Sequence, residues 1–268
     1  MKSKLFLIVC LLWAFISQAK TIAISYFDNS SGDAKYNALS KGISDMLITD
    51  LSKVKGVTIV EREKLEKLLQ EIKLGQSKYF DQTTAVKLGK GLGAQNILTG
   101  SFYILDNIIR LDARLIDVQT GGVIFAEQVS GNKNNFFSLH QQLANLLAKS
   151  INIPYSPDLS GLYKTNEQVS INEVVNYSNA IELQDVGMDL EAKLLLEKTV
   201  KSNPKFQFAK YKLDEIKDLI KKIEAEREKL ILEELKNTIN TIDASNEKFG
   251  MQLTNVWTTL VSSYKFNQ

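Results

Sequence analysis

The sequence predicts an α/β fold: an N-terminal mixed-sheet sandwich with helices packed on it, followed by an all-α C-terminal domain. Two observations carry this. Strand-like and helix-period runs interleave over the first half and end in three closely spaced strands. Beyond about residue 168 only helical periodicity remains.

Met1-Lys2-Ser3-Lys4 is a short basic start, Leu5 to Ile16 is almost unbroken apolar sequence, and Ser17-Gln18-Ala19 offers small residues at the positions a signal peptidase reads. The run is too short to span a bilayer. Residues 1–19 therefore read as a signal peptide cleaved between Ala19 and Lys20. Cys10 lies inside the apolar run with Val9 before it, which is not a lipidation pattern, so ordinary cleavage is expected. The 33 basic and 31 acidic residues become 31 and 31 once Lys2 and Lys4 leave, and the mature chain is neutral. A neutral chain lacks the electrostatic footprint of a nucleic-acid binder. Losing Cys10 also removes disulfides, thiolate metal sites and cysteine nucleophiles from consideration.

Ile22 to Phe27 reads as a strand that ends in the turn Asp28-Asn29-Ser30-Ser31-Gly32. Tyr36, Leu39, Ile43, Met46, Leu47, Leu51 and Val54 recur at three- and four-residue spacing, the mark of a helix with one buried face. Val57 to Val60 is a short strand, and Arg62 to Leu74 a second helix with Leu65, Leu68, Leu69 and Ile72 as its stripe. Thr83 or Thr84 is expected to cap a third, short helix carrying Val86 and Leu88. Strands 96–105 and 108–118 are separated only by Asp106-Asn107, a hairpin signal, and strand 123–130 follows Thr120-Gly121-Gly122. Leu111, Ala113 and Leu115 alternate with Arg110, Asp112 and Arg114, so one sheet face is packed and the other wet. Helices are expected over one face of this sheet, with a further helix at 135–151.

Residues 153–168 hold Pro154, Pro157 and Gly161 and no clean period, so they read as a linker between a domain at 20–152 and a helical domain at 169–268. Ala192, Leu196, Thr199 and Pro204 resemble the second helix of a tetratricopeptide repeat, with Ala180 and Gly187 at its first helix and turn. One repeat cannot bury its own face and needs neighbours, and a long helix at 206–236 is a candidate. Leu213, Ile216, Ile220, Ile223 and Leu230 approximate a heptad seam that Arg227 interrupts. A closing helix at 245–266 would cap the helical domain, or form a docking face if exposed.

Chemistry-bearing groups are sparse. His140 is the only histidine, among Gln141, Gln142 and Asn135, where a surface or satisfied histidine is the ordinary reading, and no second one exists for a zinc site. Gly89, Gly91 and Gly93 follow a helix and precede a strand, the reverse of a dinucleotide loop. Ser30-Ser31-Gly32-Asp33 lacks a base to activate a nucleophile. Glu61 and Glu63 fit a strand end leading into a charged helix. No catalytic, metal or cofactor residue is assigned and no cofactor is expected.

Taken together, the opening strand and turn, Val57-Thr58-Ile59-Val60-Glu61-Arg62-Glu63, Leu92 to Ser101 and Ala113 to Gly121 resemble, in order and spacing, the domain of the curli-secretion channel subunit family (CsgG-like), whose relatives include periplasmic lipoproteins without pores. The resemblance implies Phe27, Asn29, Glu61, Arg62, Gly93, Gly100, Asp117 and Gly121 as marks of the fold. Gly100 would let a helix approach the strand, and Gly121 would supply a turn. A curli-type pore would need long amphipathic hairpins, yet here the first candidate place is closed by Asp106-Asn107 and the second offers only 132–135. The function expected is a periplasmic, non-enzymatic, protein-binding adaptor that assists assembly or secretion of an outer-envelope component. It would bind envelope proteins, could form homo-oligomers and would have no membrane span in the mature chain. The alternatives are a subunit of an oligomeric outer-membrane secretion channel, and a small-molecule sensor or hydrolase with an interdomain cleft.

Overall fold

The computed structural model describes residues 20–54, 56–72, 81–151, 169–245 and 250–266, with the backbone alone at 240–245, 250–252 and 264–266. The signal peptide at 1–19, with Ala19 and Cys10, and the linker at 153–168 lie outside the described residues. Lys20 opens the first strand, its backbone N–H donating to the Gly56 carbonyl at 3.1 Å.

The chain runs β1 (Lys20–Asn29), α1 (Leu39–Leu51), β2 (Val57–Ile59), α2 (Arg62–Ile72), α3 (Gln82–Gly91), β3 (Asn96–Leu105), β4 (Ile108–Asp117), β5 (Val123–Asn132), α4 (Phe136–Ser150), α5 (Ile171–Asp185), α6 (Asp189–Ser202), α7 (Gln207–Ser245) and α8 (Gly250–Phe266). The five strands form one mixed sheet in the order β2-β1-β3-β4-β5. β1 pairs parallel with β2 and β3, while β3, β4 and β5 form an antiparallel meander. The hairpin is closed by Asp106-Asn107, and Asp106 takes a positive φ of 52°, a conformation Asp tolerates in tight turns.

β1 reads Ile-Ala-Ile-Ser-Tyr-Phe without alternation because both of its faces are covered, and Ile22 to Phe27 are all buried. The expectation of helices on one face is corrected here. α1 packs on β1 and α4 on β4 and β5, whereas α2 and α3 cover the other face, where Leu65, Leu69, Ala85 and Leu88 join Ala23, Tyr26, Ile97 and Ile116 in one core. A register shift between Ile24 and Phe27 puts both Ala23 and Tyr26 on the α2/α3 side, which period-two reading cannot anticipate. The cap of α3 also differs. Asp81 rather than a threonine is the N-cap, its carboxylate accepting from the Thr84 N–H at 2.8 Å.

The chain forms two compact units that meet within α7, the first ending at Asp214 and the second beginning at Glu215. α5 and α6, a helical hairpin turned by Gly187 at φ 76°, belong to the first unit, and α5 lies against α1. Ser170 opens α5 with a capping box: its hydroxyl accepts from the Glu173 N–H, and the Glu173 carboxylate accepts from the Ser170 N–H at 2.7 Å. The neighbours this repeat-like hairpin needs are α1 and the first turns of α7. There Phe206 and Phe208 meet Phe137, and Phe206 also meets Tyr177, at ring separations of 5.5–6.0 Å. In the second unit α7 and α8 frame a groove lined by Lys229, Leu232, Lys236, Trp257 and Val261. Val256 and Leu260 of α8 are exposed.

Candidate functional site

The residues marked by the family resemblance divide into separate places. Phe27 and Gly100 are paired neighbours on β1 and β3. A Cβ on Gly100 would sit 2.2 Å from the Phe27 ring, so this glycine makes room for a ring rather than for a helix. Asn29 shapes the loop after β1: its Oδ1 accepts from the Ser31 N–H at 2.9 Å, and its Nδ2 donates to the Asp33 carbonyl and to Asn37. Ser31 is committed as well, accepting the Ile104 N–H at 2.8 Å. Asp117 and Gly121 share one turn. The Asp117 carboxylate accepts from the Thr120 N–H and hydroxyl at 2.7 and 2.9 Å, bonds that hold its pKa below the ordinary value, and Gly121 takes φ 73°. Gly93 turns α3 into β3 at φ 65°. Glu61 is exposed, 3.6 Å from Lys64.

Arg62 goes inward. Its guanidinium is buried between Asp45 of α1, with Nε to Oδ1 at 3.3 Å, and Asp185 of α5, which Nη1 contacts directly, and it donates to Gln184 at 3.2 Å. Lys41 reaches Asp185 at 2.6 Å and Glu66 at 3.4 Å. Lys212 reaches Asp45 at 3.1 Å, and the Tyr177 hydroxyl donates to Asp45. The Tyr26 hydroxyl donates to Glu66 at 2.5 Å. Three cations and three carboxylates thus neutralise one another, as burial requires. Burial alone would raise the Asp45 carboxyl, but Lys212 and Arg62 outweigh it and hold the group below its ordinary range. Burial and then the carboxylate of Asp185 push the Tyr26 phenol up, so it stays a donor. Sequence reasoning missed Asp45, Asp185, Lys41 and Lys212. The available signal was a charged residue inside an apolar run, as in Ile43-Ser44-Asp45-Met46-Leu47.

Of the two readings of His140, surface or satisfied, the structure takes the second: the side chain is fully buried. Its Nδ1 lies 3.7 Å from Asp50, and its ring neighbours Phe136 and Phe208. Burial lowers its pKa to about 4, so it is neutral at pH 7. Packed in the core, this pair has no route to a substrate. Among the described residues no group of three or more His, Cys, Asp or Glu is placed to hold a metal ion, and no helix is long and apolar enough to cross a membrane.

The accessible candidate surface is the sheet face that α2 and α3 leave bare near the Asp106-Asn107 hairpin. Cross-strand register puts Tyr103 opposite Arg110 and Leu105 opposite Ile108, and then Gln128 opposite Asp112. Leu105 is 57% and Ile108 51% exposed, beside an Arg110–Asp112 ion pair at 2.6 Å. A shallow depression of about 240 Å³ between β4 and β5 is floored by Asp112, Arg114, Ala126, Glu127 and Gln128. Beyond it β5 ends the sheet, ten residues with no proline and Glu127 as their single charge.

Comparison with known proteins bears on the first half of the chain. Residues 14–108 match the family model described as "Curli production assembly/transport component CsgG". Over 134 residues, 50% of this chain, the sequence is 29% identical to a Rhizobium meliloti (strain 1021) protein named "Putative adenylate cyclase 3". That match spans 21% of the relative, so this chain accounts for about a fifth of its length. Among solved structures, the LpoB C-terminal domain from Salmonella enterica is similar over 46% of this chain and 91% of its own, at 19% identity and TM-score 0.37. A lipoprotein from Neisseria meningitidis is similar over 49% and 94%, at 17% and 0.38. The PelC dodecamer from Paraburkholderia phytofirmans is similar over 50% and 88%, at 12% and 0.32. Likeness at this level says nothing about what this chain binds.

Proposed function

Starting from a CsgG-like segment at residues 14–108, we propose that this protein is a non-catalytic, protein-binding adaptor of the cell envelope that works in the periplasm. One observation carries the reading: the bare β3–β4–β5 face ends in a long unpaired edge strand. Its exposed Leu105 and Ile108 stand beside the Arg110–Asp112 pair, a mixture of apolar anchors and polar rim suited to a protein partner. The edge carries one charge and no proline, and its irregularity is a bulge at Ile124 near one end, so an extended partner segment can add to the stretch 125–132. Three groups that could do chemistry are held in structural roles: His140 in the core, Ser31 on β3 and Asp117 in its turn.

The test combines cell fractionation with a photo-crosslinker placed at Tyr103 or Gln128, and at Glu71 on exposed α2 as a control. The reading expects the protein in the periplasmic or envelope fraction. It also expects one crosslinked species of defined mass from Tyr103 and Gln128, absent from Glu71 and lost in the Leu105→Asp/Ile108→Asp variant. Cytoplasmic residence, equal crosslinking from all three positions, or cyclic AMP formation by the purified protein would overturn it.

A further inference from the structure

Arg62 belongs to the segment that matches the CsgG description, yet one of its two buried carboxylate partners, Asp185, lies well outside that segment. Three neighbouring bonds repeat this pattern. Lys41 bonds Asp185, and Asp45 takes Tyr177 and Lys212, each bond tying α1 or α2 to α5 or the start of α7. α1 is shaped for that contact, because a Cβ on Gly42 would lie 1.8 Å from the Ser178 hydroxyl oxygen and 3.3 Å from its Cα. Only glycine lets the two helices come so close. Were α5 absent, Asp45 would lose the Tyr177 hydroxyl, and the buried Arg62 would lose both Asp185 and Gln184. Such half-satisfied networks are costly, whereas complete ones define a single docking geometry.

We propose that the outer surface of α1 and α2 is a docking site whose occupant is this chain's own segment 171–214, and that Arg62 is the positioning residue that registers it. The helical hairpin is then an obligatory clamp on the CsgG-like segment and not a separate module joined by a linker. Arg62 suits this task because its planar fork can serve two carboxylates from different helices, which a lysine ammonium cannot do at the same geometry.

The test uses the full chain with a site-specific protease sequence inserted between Asp158 and Leu159. After folding and cleavage, the two pieces should co-elute on size exclusion at low salt and at 1 M salt, since buried pairs are screened little. In Asp185→Asn and in Arg62→Lys, the pieces should separate at concentrations at least about tenfold higher than for the parent, one pairing being lost. Pieces that part in the unsubstituted protein, or variants that hold as tightly as the parent, would overturn the proposal. A variant-free measurement guards against misfolding. In the uncut chain the amides of α5 should share the hydrogen-exchange protection of α1, and much faster exchange in α5 would show that it opens independently.

Discussion

Replacing Gly100 by alanine tests the interlock between β1 and β3. The new methyl would lie 2.2, 2.5 and 2.5 Å from three atoms of the Phe27 ring, against the roughly 3.5–4.0 Å of a relaxed carbon contact. Phe27 is wholly buried, and its strand is held by β3 and by the Ser40 hydroxyl on its carbonyl, so neither ring nor backbone can retreat without disturbing neighbours. Overpacking of this kind costs about 1–3 kcal/mol, while relief of glycine's backbone entropy returns roughly 0.5–1 kcal/mol. Gly100→Ala should therefore destabilise the first unit by about 1–2 kcal/mol, the clash outweighing the entropy gain. Phe27→Ala should cost about 3–5 kcal/mol by leaving a cavity. In the Phe27→Ala background the alanine at 100 has space, and its penalty should vanish or reverse. The assay is urea unfolding followed by far-ultraviolet circular dichroism, read as the midpoint at constant slope. An unchanged midpoint in the single variant, or an equal penalty in both backgrounds, would refute the reasoning.

Two further outcomes are expected. His140 has a folded pKa near 4, below its unfolded value, so only the unfolded chain takes up a proton as pH falls from about 6.5 towards 4. Stability should decline across that window by up to about 3 kcal/mol, and His140→Gln should flatten the decline. A profile in urea midpoints that is flat or rises on acidification would count against it. Ser170→Ala removes the hydroxyl half of the α5 capping box and should cost about 1 kcal/mol, seen as a lower midpoint and faster exchange in the first turn of α5. No change in either would mean that docking on α1, and not the cap, holds that end of the helix.

Much of the fold was legible because its signals are local. The hairpin at Asp106-Asn107 follows from turn chemistry between two alternating runs, and the wet face of β4 follows from Arg110, Asp112 and Arg114 standing at every second position. Gly187 and Gly121 were readable as turns because positive φ leaves few other choices. The alternation in β4 marked its side of the proposed binding surface as wet, but did not show that α2 and α3 leave it bare. The cap of α3 was placed two or three residues late because Asp81 competes as an acceptor with the threonines that follow it. Of the two ordinary readings of His140, surface or satisfied, the sequence could not choose, because the flanking Gln142 is exposed while the histidine's own side of α4 faces the core.

The sequence by itself determined the order of strands and helices, the turns between them and the alternation that makes one side of β4 wet, since each depends on residues within a few positions of one another. Only the tertiary structure decided that helices cover both sheet faces, that Gly100 yields its space to the Phe27 ring, and that Arg62 joins Asp45 to Asp185 across 17 and 123 positions of chain. Hydrophobic period says which side of a helix is buried but not against what. A buried charge reveals its partner only when the folded chain brings an opposite charge into a place that water has left.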